Sequence, residues 1–256
     1  MFKIACQTIV FPDIKERIEY IWKTVSEIGY EGAETGVRYL DTSRPDYYKE
    51  LLQKYNLKLP AVHVGGDFLD KASRKQQMDN FDETVRFAKS LGCPFVYVSG
   101  VKRPDKTIED YEYEGGVYNE MGKKCADAGL TFCYHNHSWE FENGLDGVEV
   151  MLSVTTPETM MLVPDVGWLT VAGFDPVKYL DAHFDRLAAL HFKEFKFTPE
   201  RTFTELGEGV VDFKGVISFL KAKGRPMWIS IEQDKSYIGS EKSAKINLDY
   251  LTNLIG

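Results

Sequence analysis

Two rhythms of apolar residues alternate along the chain. Short, mostly apolar runs are bounded by glycine, proline or polar residues. Between them lie longer stretches whose apolar residues recur every three or four positions. Residues 2–7 read as a first strand. Ile14, Ile18, Ile21, Val25 and Ile28 then follow at helical spacing, with Asp13 as N-cap and Gly29 as the stop. Further strands are expected at 32–34, 57–64, 94–99, 130–134, 161–165, 187–193 and 227–232. Helices are expected at 45–55, through Met78, Phe81, Val85, Ala88 and Leu91, and at 110–128, 145–154, 175–183, 213–222 and 241–254. The phrase helix, glycine, strand recurs at Gly29, Gly92, Gly129 and Gly224.

The strands are apolar throughout instead of alternating with polar residues, so both their faces are covered. That is the mark of a parallel sheet wrapped by helices. Eight strand–helix units in this length predict an α/β fold, a (β/α)8 TIM barrel, as a single domain over residues 1–256. The first strand–helix turn has no GxGxxG, which weakens a doubly wound, dinucleotide-binding alternative.

A barrel of this kind carries its chemistry at the C-terminal strand ends. Glu34, His63, His135, Asp165, His191 and Glu232 all stand there, while His183 reads as an ordinary helix-end residue. Strand alternation puts His135 and His137 on one face, and likewise His191 with Lys193 and Ser230 with Glu232. Asp165, His191 and Glu232 come from three successive strands and converge on one mouth. Carboxylates with an imidazole suit one divalent metal ion such as Mn²⁺, Zn²⁺, Co²⁺ or Mg²⁺. The competing reading is separately hydrogen-bonded polar residues, or salt bridges with Lys193.

Composition narrows the partners. The chain has 256 residues, 43% hydrophobic and 27% charged, with a net charge of −8. A nucleic-acid partner needs a basic face, so none is expected. The four cysteines form no CxxC pair, in keeping with a reducing compartment. There is no signal-like N-terminus, and no apolar run approaches the roughly 20 residues that span a bilayer. A cytoplasmic protein with no membrane partner is expected.

Over essentially its whole length the chain resembles the xylose-isomerase-like (β/α)8 superfamily of sugar isomerases, epimerases and dehydratases. The motifs that carry the resemblance are Gly-Ala-Glu34, Pro-Asp165-Val-Gly-Trp, His191-Phe-Lys193-Glu, Leu-Gly207-Glu-Gly209 and Ser-Ile-Glu232. The resemblance implies one divalent metal held by a glutamate after strand five and by an aspartate, a histidine and a glutamate after the next three. Asp165, His191 and Glu232 match the last three. His135 stands where the first is usual, in a His-Asn-His-x-x-Glu-Phe segment similar to that of inosose dehydratase. Either His135 binds the metal or Glu140 reaches back to it; Glu140 is favoured, as ligand or as second acid–base group. A second departure is Trp168, where many members carry histidine.

The implied activity is proton transfer beside a carbonyl in a keto sugar or related polyol, by an isomerase or epimerase. The catalytic candidates are Glu232, Glu140, His135 and Lys193, the last to stabilise a developing enolate. His63, Glu34, Gln7, His137 and Trp168 are substrate-binding candidates, and Phe68 and Trp139 could help cover the site. The loop at residues 195–211 carries Arg201, Glu205 and Glu208 but offers no glycine-rich phosphate cradle, which favours an unphosphorylated substrate. Three alternatives stay open: an inosose-dehydratase-like lyase, a non-catalytic sugar-binding protein, and a DNA-repair nuclease on the same fold. The last is disfavoured by net charge and by the count of five histidines. Family members often form homo-oligomers.

Overall fold

The computed structural model describes residues 2–197 and 200–256. Strands and helices alternate in the order β1 Lys3–Gln7, α1 Ile14–Ile28, β2 Gly32–Gly36, α2 Pro45–Lys54, β3 Ala61–Gly65, α3 Arg74–Ser90, β4 Phe95–Ser99 and α4 Ile108–Ala128. They continue as β5 Thr131–Tyr134, α5 Gly147–Ser153, β6 Met161–Leu162, α6 Val166–Val171, α7 Pro176–Ala182 and β7 Leu190–Phe192. A hairpin follows, β8 Glu194–Phe197 with β9 Arg201–Thr204, and then α8 Phe213–Lys223, β10 Trp228–Ile231 and α9 Ser240–Ile255.

Eight parallel strands pair in the order β6-β5-β4-β3-β2-β1-β10-β7. Parallel bridges between Leu162 and Leu187 and between Asp165 and His191 join the two outer strands, so the sheet curls round as a barrel. The (β/α)8 expectation is met.

Strand alternation divides the core. Val62, Val96, Val98, Phe132, Leu190 and Ile229 face outward and pack under the helices. Ala61, Tyr97, Cys133, Val163 and Ala189 face inward and fill the barrel axis. Two residues on, the same inward parity delivers one polar side chain from every barrel strand or its exit: Gln7, Glu34, His63, Ser99, His135, Asp165, His191 and Glu232. One ring of polar groups thus caps an apolar plug.

Several details depart from the sequence reading, among them β3, which begins at Ala61, and the short helix α6, which was not expected. Asp13 precedes α1 with a left-handed backbone (φ 53°) and makes no side-chain cap bond. α4 begins earlier than expected, because Thr107 and Asp110 close a capping box. The ladder of β6 stops at Leu162 and that of β7 spans only Leu190–Phe192, since Asp165 and Leu187 contribute single bridges. The stretch read as the loop 195–211 contains the β8–β9 hairpin, whose short alternating strands pair only with each other.

Candidate metal centre

His135 Nε2, Asp165, His191 and Glu232 each offer one atom to a group whose members all lie within 4.8 Å of one another, and all four residues are buried. His135 Nε2 is 3.6 Å from Asp165 Oδ2 and 3.4 Å from Glu232 Oε2, and His191 Nδ1 is 2.6 Å from Glu232 Oε2. Main-chain bonds hold the carriers in place: His135 N donates to Val98 O, His191 N to Pro164 O and Glu232 N to Phe192 O.

The neighbours decide which ring nitrogen of each histidine faces the group. Ser99 Oγ is 3.2 Å from His135 Nδ1 and 2.9 Å from His63 Nε2, and donates to His135 O. With its proton given to that carbonyl, Ser99 accepts from His135 Nδ1–H and leaves the Nε2 lone pair free. Glu34 Oε2 lies 2.8 Å from His191 Nε2 and accepts its proton, which turns Nδ1 toward the group. Among the described residues, His135 Nε2 and Asp165 Oδ2 are buried and find no hydrogen-bond partner. Two orphaned donor atoms, beside two more from an imidazole and a carboxylate, fit a divalent ion of the Zn²⁺ or Mn²⁺ kind.

The charges are steeply tuned. Burial disfavours the charged form of His191, but Glu34 and Glu232 outweigh it and hold its pKa up at about 10. Burial of Glu34 is likewise outweighed by His191, and its carboxyl sits at about 2. Burial opposes ionisation of Glu232, yet Lys193, His135 and His191 hold its carboxyl well below the usual carboxylate range. His135 is raised, because Asp165 and Glu232 overcome burial and the repulsion of His191. Burial, then His135 and Lys193, pushes His137 well down, so it is a neutral imidazole.

Lys193 is 1% exposed. Its Nζ lies 3.0 Å from Glu232 Oε1, 3.1 Å from Asp234 Oδ2 and 3.7 Å from Asp165 Oδ2. The ammonium also stands 5.1 Å from the Trp168 ring. Close packing makes this possible: a side chain at Gly167 would overlap the Lys193 carbonyl. Asp165 caps α6 by accepting from Trp168 N at 2.9 Å, and its own N–H donates to Asn136 Oδ1 at 3.1 Å.

A cavity of about 530 Å³ opens above the group. Glu232 lines it, together with Gln7, His63, His137, Trp139 and Asp234. Of the expected substrate-binding residues, Gln7, His63 and His137 therefore face the cavity. Glu34 lies beneath it on His191, and Trp168 stands behind His137 with 5.7 Å between the rings. Phe68 is buried against Tyr118.

Glu140 is the principal correction. A 3₁₀ segment at Trp139–Gly144 turns its carboxylate away from the four-donor group. One oxygen accepts from Tyr134 Oη at 2.7 Å and the other from His137 N at 2.8 Å. Both carboxylate oxygens are thus engaged with protein donors, and it is His135, not Glu140, that belongs to the four-atom group.

Two residues escaped the sequence reading. Ser99 ends β4 with no titratable group to betray it; its inward parity was the available signal. Asp234 lies beyond β10, where alternation gives no guide. Burial raises its carboxyl to about 6 against the pull of Lys193. The Gly207 and Gly209 motif has a structural explanation. The buried Glu194 carboxylate accepts from the backbone N–H groups of Phe195, Gly207, Val210 and Val211 and ties the hairpin base together. His183 packs as a helix end, 2.8 Å from Tyr179 O and 2.5 Å from Glu149.

Among known proteins, the chain is 23% identical to an inosose dehydratase of Geobacillus kaustophilus (strain HTA426), over 93% of this chain and 87% of that protein. A sugar phosphate isomerase/epimerase from Parabacteroides distasonis ATCC 8503 superposes with a TM-score of 0.84 at 20% identity, covering 99% of each chain. The IolI protein, solved with a zinc atom bound, superposes with a TM-score of 0.78 at 17% identity over 99% of this chain and 98% of that one. Residues 22–254 match the family described as the xylose isomerase-like TIM barrel, and this chain belongs to that family.

Proposed function

We propose that the chain is a divalent-metal-dependent enzyme that moves a proton beside the carbonyl of a keto sugar or related polyol, with isomerisation or epimerisation as the outcome. One observation carries this reading: Glu232 belongs to the four-donor group and also lines the cavity. A divalent ion held by His135, Asp165, His191 and Glu232 would supply Lewis-acid polarisation of a carbonyl and its neighbouring hydroxyl.

The chain's own groups do the rest. Glu232, kept as a carboxylate by Lys193, takes the proton from carbon. Lys193 offers a fixed cation to the negative charge that develops on the substrate oxygen. Return of the proton by Glu232 to the neighbouring carbon gives an isomer, and delivery of a proton from a second acid on the opposite face gives an epimer. Glu140 acts as a positioning residue that holds the His137 amide.

A hydro-lyase is the second reading, favoured by the imidazole of His135 where a carboxylate would serve an epimerase. The relative named inosose dehydratase supports the same reading.

Incubation of the metal-loaded protein with ketohexoses and inososes in D₂O, followed by NMR, tests the proposal. Deuterium beside the carbonyl with the hydroxyls retained supports the isomerase or epimerase, and loss of water supports the lyase. Neither outcome with Mn²⁺, Co²⁺, Zn²⁺ or Mg²⁺ contradicts both.

A further inference from the structure

A second cavity, of about 620 Å³, opens at the other end of the barrel, where the strands begin. Strand parity builds it. The inward register that delivers Gln7 and Glu232 at the strand exits delivers Lys3 and Trp228 at the strand starts, where they stand side by side on β1 and β10. The half-buried Trp228 packs with its inner side against the plug of Ala61, Tyr97, Cys133, Val163 and Ala189. That plug separates the cavity from the four-donor group. Leu57 and Leu59, each 3% exposed, complete an apolar floor on the link between α2 and β3.

The rim has one sign of charge. Lys3, Lys49 and Lys58 line the cavity and no aspartate or glutamate does, in a chain whose net charge is −8. Asp46 answers Lys49 at 2.9 Å, and among the described residues Lys3 and Lys58 form no ion pair. The Lys3 ammonium instead stands 5.4 Å from the centroid of the Trp228 ring. Lys3 lies on a strand and Lys58 on the link into β3, so neither serves the C-terminal dipole of a helix. An apolar floor under a few fixed charges, in a volume within the roughly 300–1,000 Å³ of small-molecule sites, is the make-up of a ligand pocket.

We propose that this cavity is a second ligand site, for a small organic anion whose flat apolar body lies on Leu57, Leu59 and Trp228 and whose acidic group is met by Lys3 and Lys58. The floor rewards burial of apolar surface, which a bare inorganic anion lacks. The rim rewards negative charge, which a neutral apolar molecule lacks. The site stands apart from the proposed chemistry, and neither depends on the other.

Fluorescence titration of the metal-loaded protein with anilinonaphthalenesulfonate, a flat aromatic anion, tests the proposal. Saturable binding at one site per chain is expected. The double variant Lys3→Glu with Lys58→Glu should weaken it about tenfold. Uncharged phenylnaphthylamine, with the same rings, should bind the wild type about tenfold less well. If the double variant does not fold, Lys58→Gln carries the test, with an expected weakening of about threefold. No saturable binding, affinity unchanged by these substitutions, or an uncharged probe bound as tightly as the anion overturns the proposal.

Discussion

The Lys193 ammonium lies 3.0 Å from Glu232 Oε1, and both groups are buried at the mouth of the barrel. It is the cation shared by Glu232, Asp234 and Asp165. Lys193→Met would strip those three carboxylates of their shared ammonium and leave them crowded. Breaking a buried pair in this way costs about 3–5 kcal/mol. Urea denaturation of the metal-free protein at neutral pH should show that loss. A change below about 1 kcal/mol would mean that solvent or another cation compensates.

His191 is poised between Glu34 and Glu232, with its pKa held at about 10 against an ordinary 6.5. A raised histidine pKa stabilises the fold fully below about 6.5 and ceases to do so as pH climbs through about 10. The metal-free protein should therefore lose this contribution between those limits, read as a falling Tm in EDTA. A metal ion needs Nδ1 deprotonated, so uptake at pH 7 should release about one proton per ion. Calorimetry in two buffers of different ionisation enthalpy measures that release. No release would mean that His191 is already neutral there.

Ser99 holds His135 Nδ1 at 3.2 Å. Ser99→Ala should leave the fold intact and weaken metal binding about 10–100-fold, the usual cost of losing the partner behind a ligating histidine. A competitive chelator titration measures it, and unchanged affinity would assign Ser99 to packing alone.

All four cysteines are buried. Burial pushes the Cys6, Cys93 and Cys125 thiols up to about 12. A thiol reagent at pH 8 should find none of them in the native protein and four after unfolding in denaturant. Fast labelling of the native protein would reveal local opening of the barrel.

Much of this arrangement was legible in the chain because one rule, strand alternation, governs it. Inward parity links Tyr97 to Ser99, Cys133 to His135 and Ala189 to His191, and the polar member of each pair falls at the strand exit. Where strand geometry ends, so does legibility. Glu140 lies five residues past His135, and only the turn at Trp139–Gly144 decides that its carboxylate folds back onto Tyr134 and His137. Asp234 reaches Lys193 from a loop. The hairpin of Glu194–Phe197 and Arg201–Thr204 is too short for periodicity to separate from a loop, and it is anchored by backbone bonds to Glu194 that no pattern announces.

The central claim is that His135, Asp165, His191 and Glu232 hold one divalent ion, with His135 and not Glu140 as the donor from strand five. Elemental analysis of purified wild type, His135→Ala and Glu140→Gln, each reloaded and desalted, tests it directly. One ion per chain is expected in the wild type, with retention in Glu140→Gln and loss in His135→Ala. No ion in the wild type, or retention in His135→Ala with loss in Glu140→Gln, would contradict it.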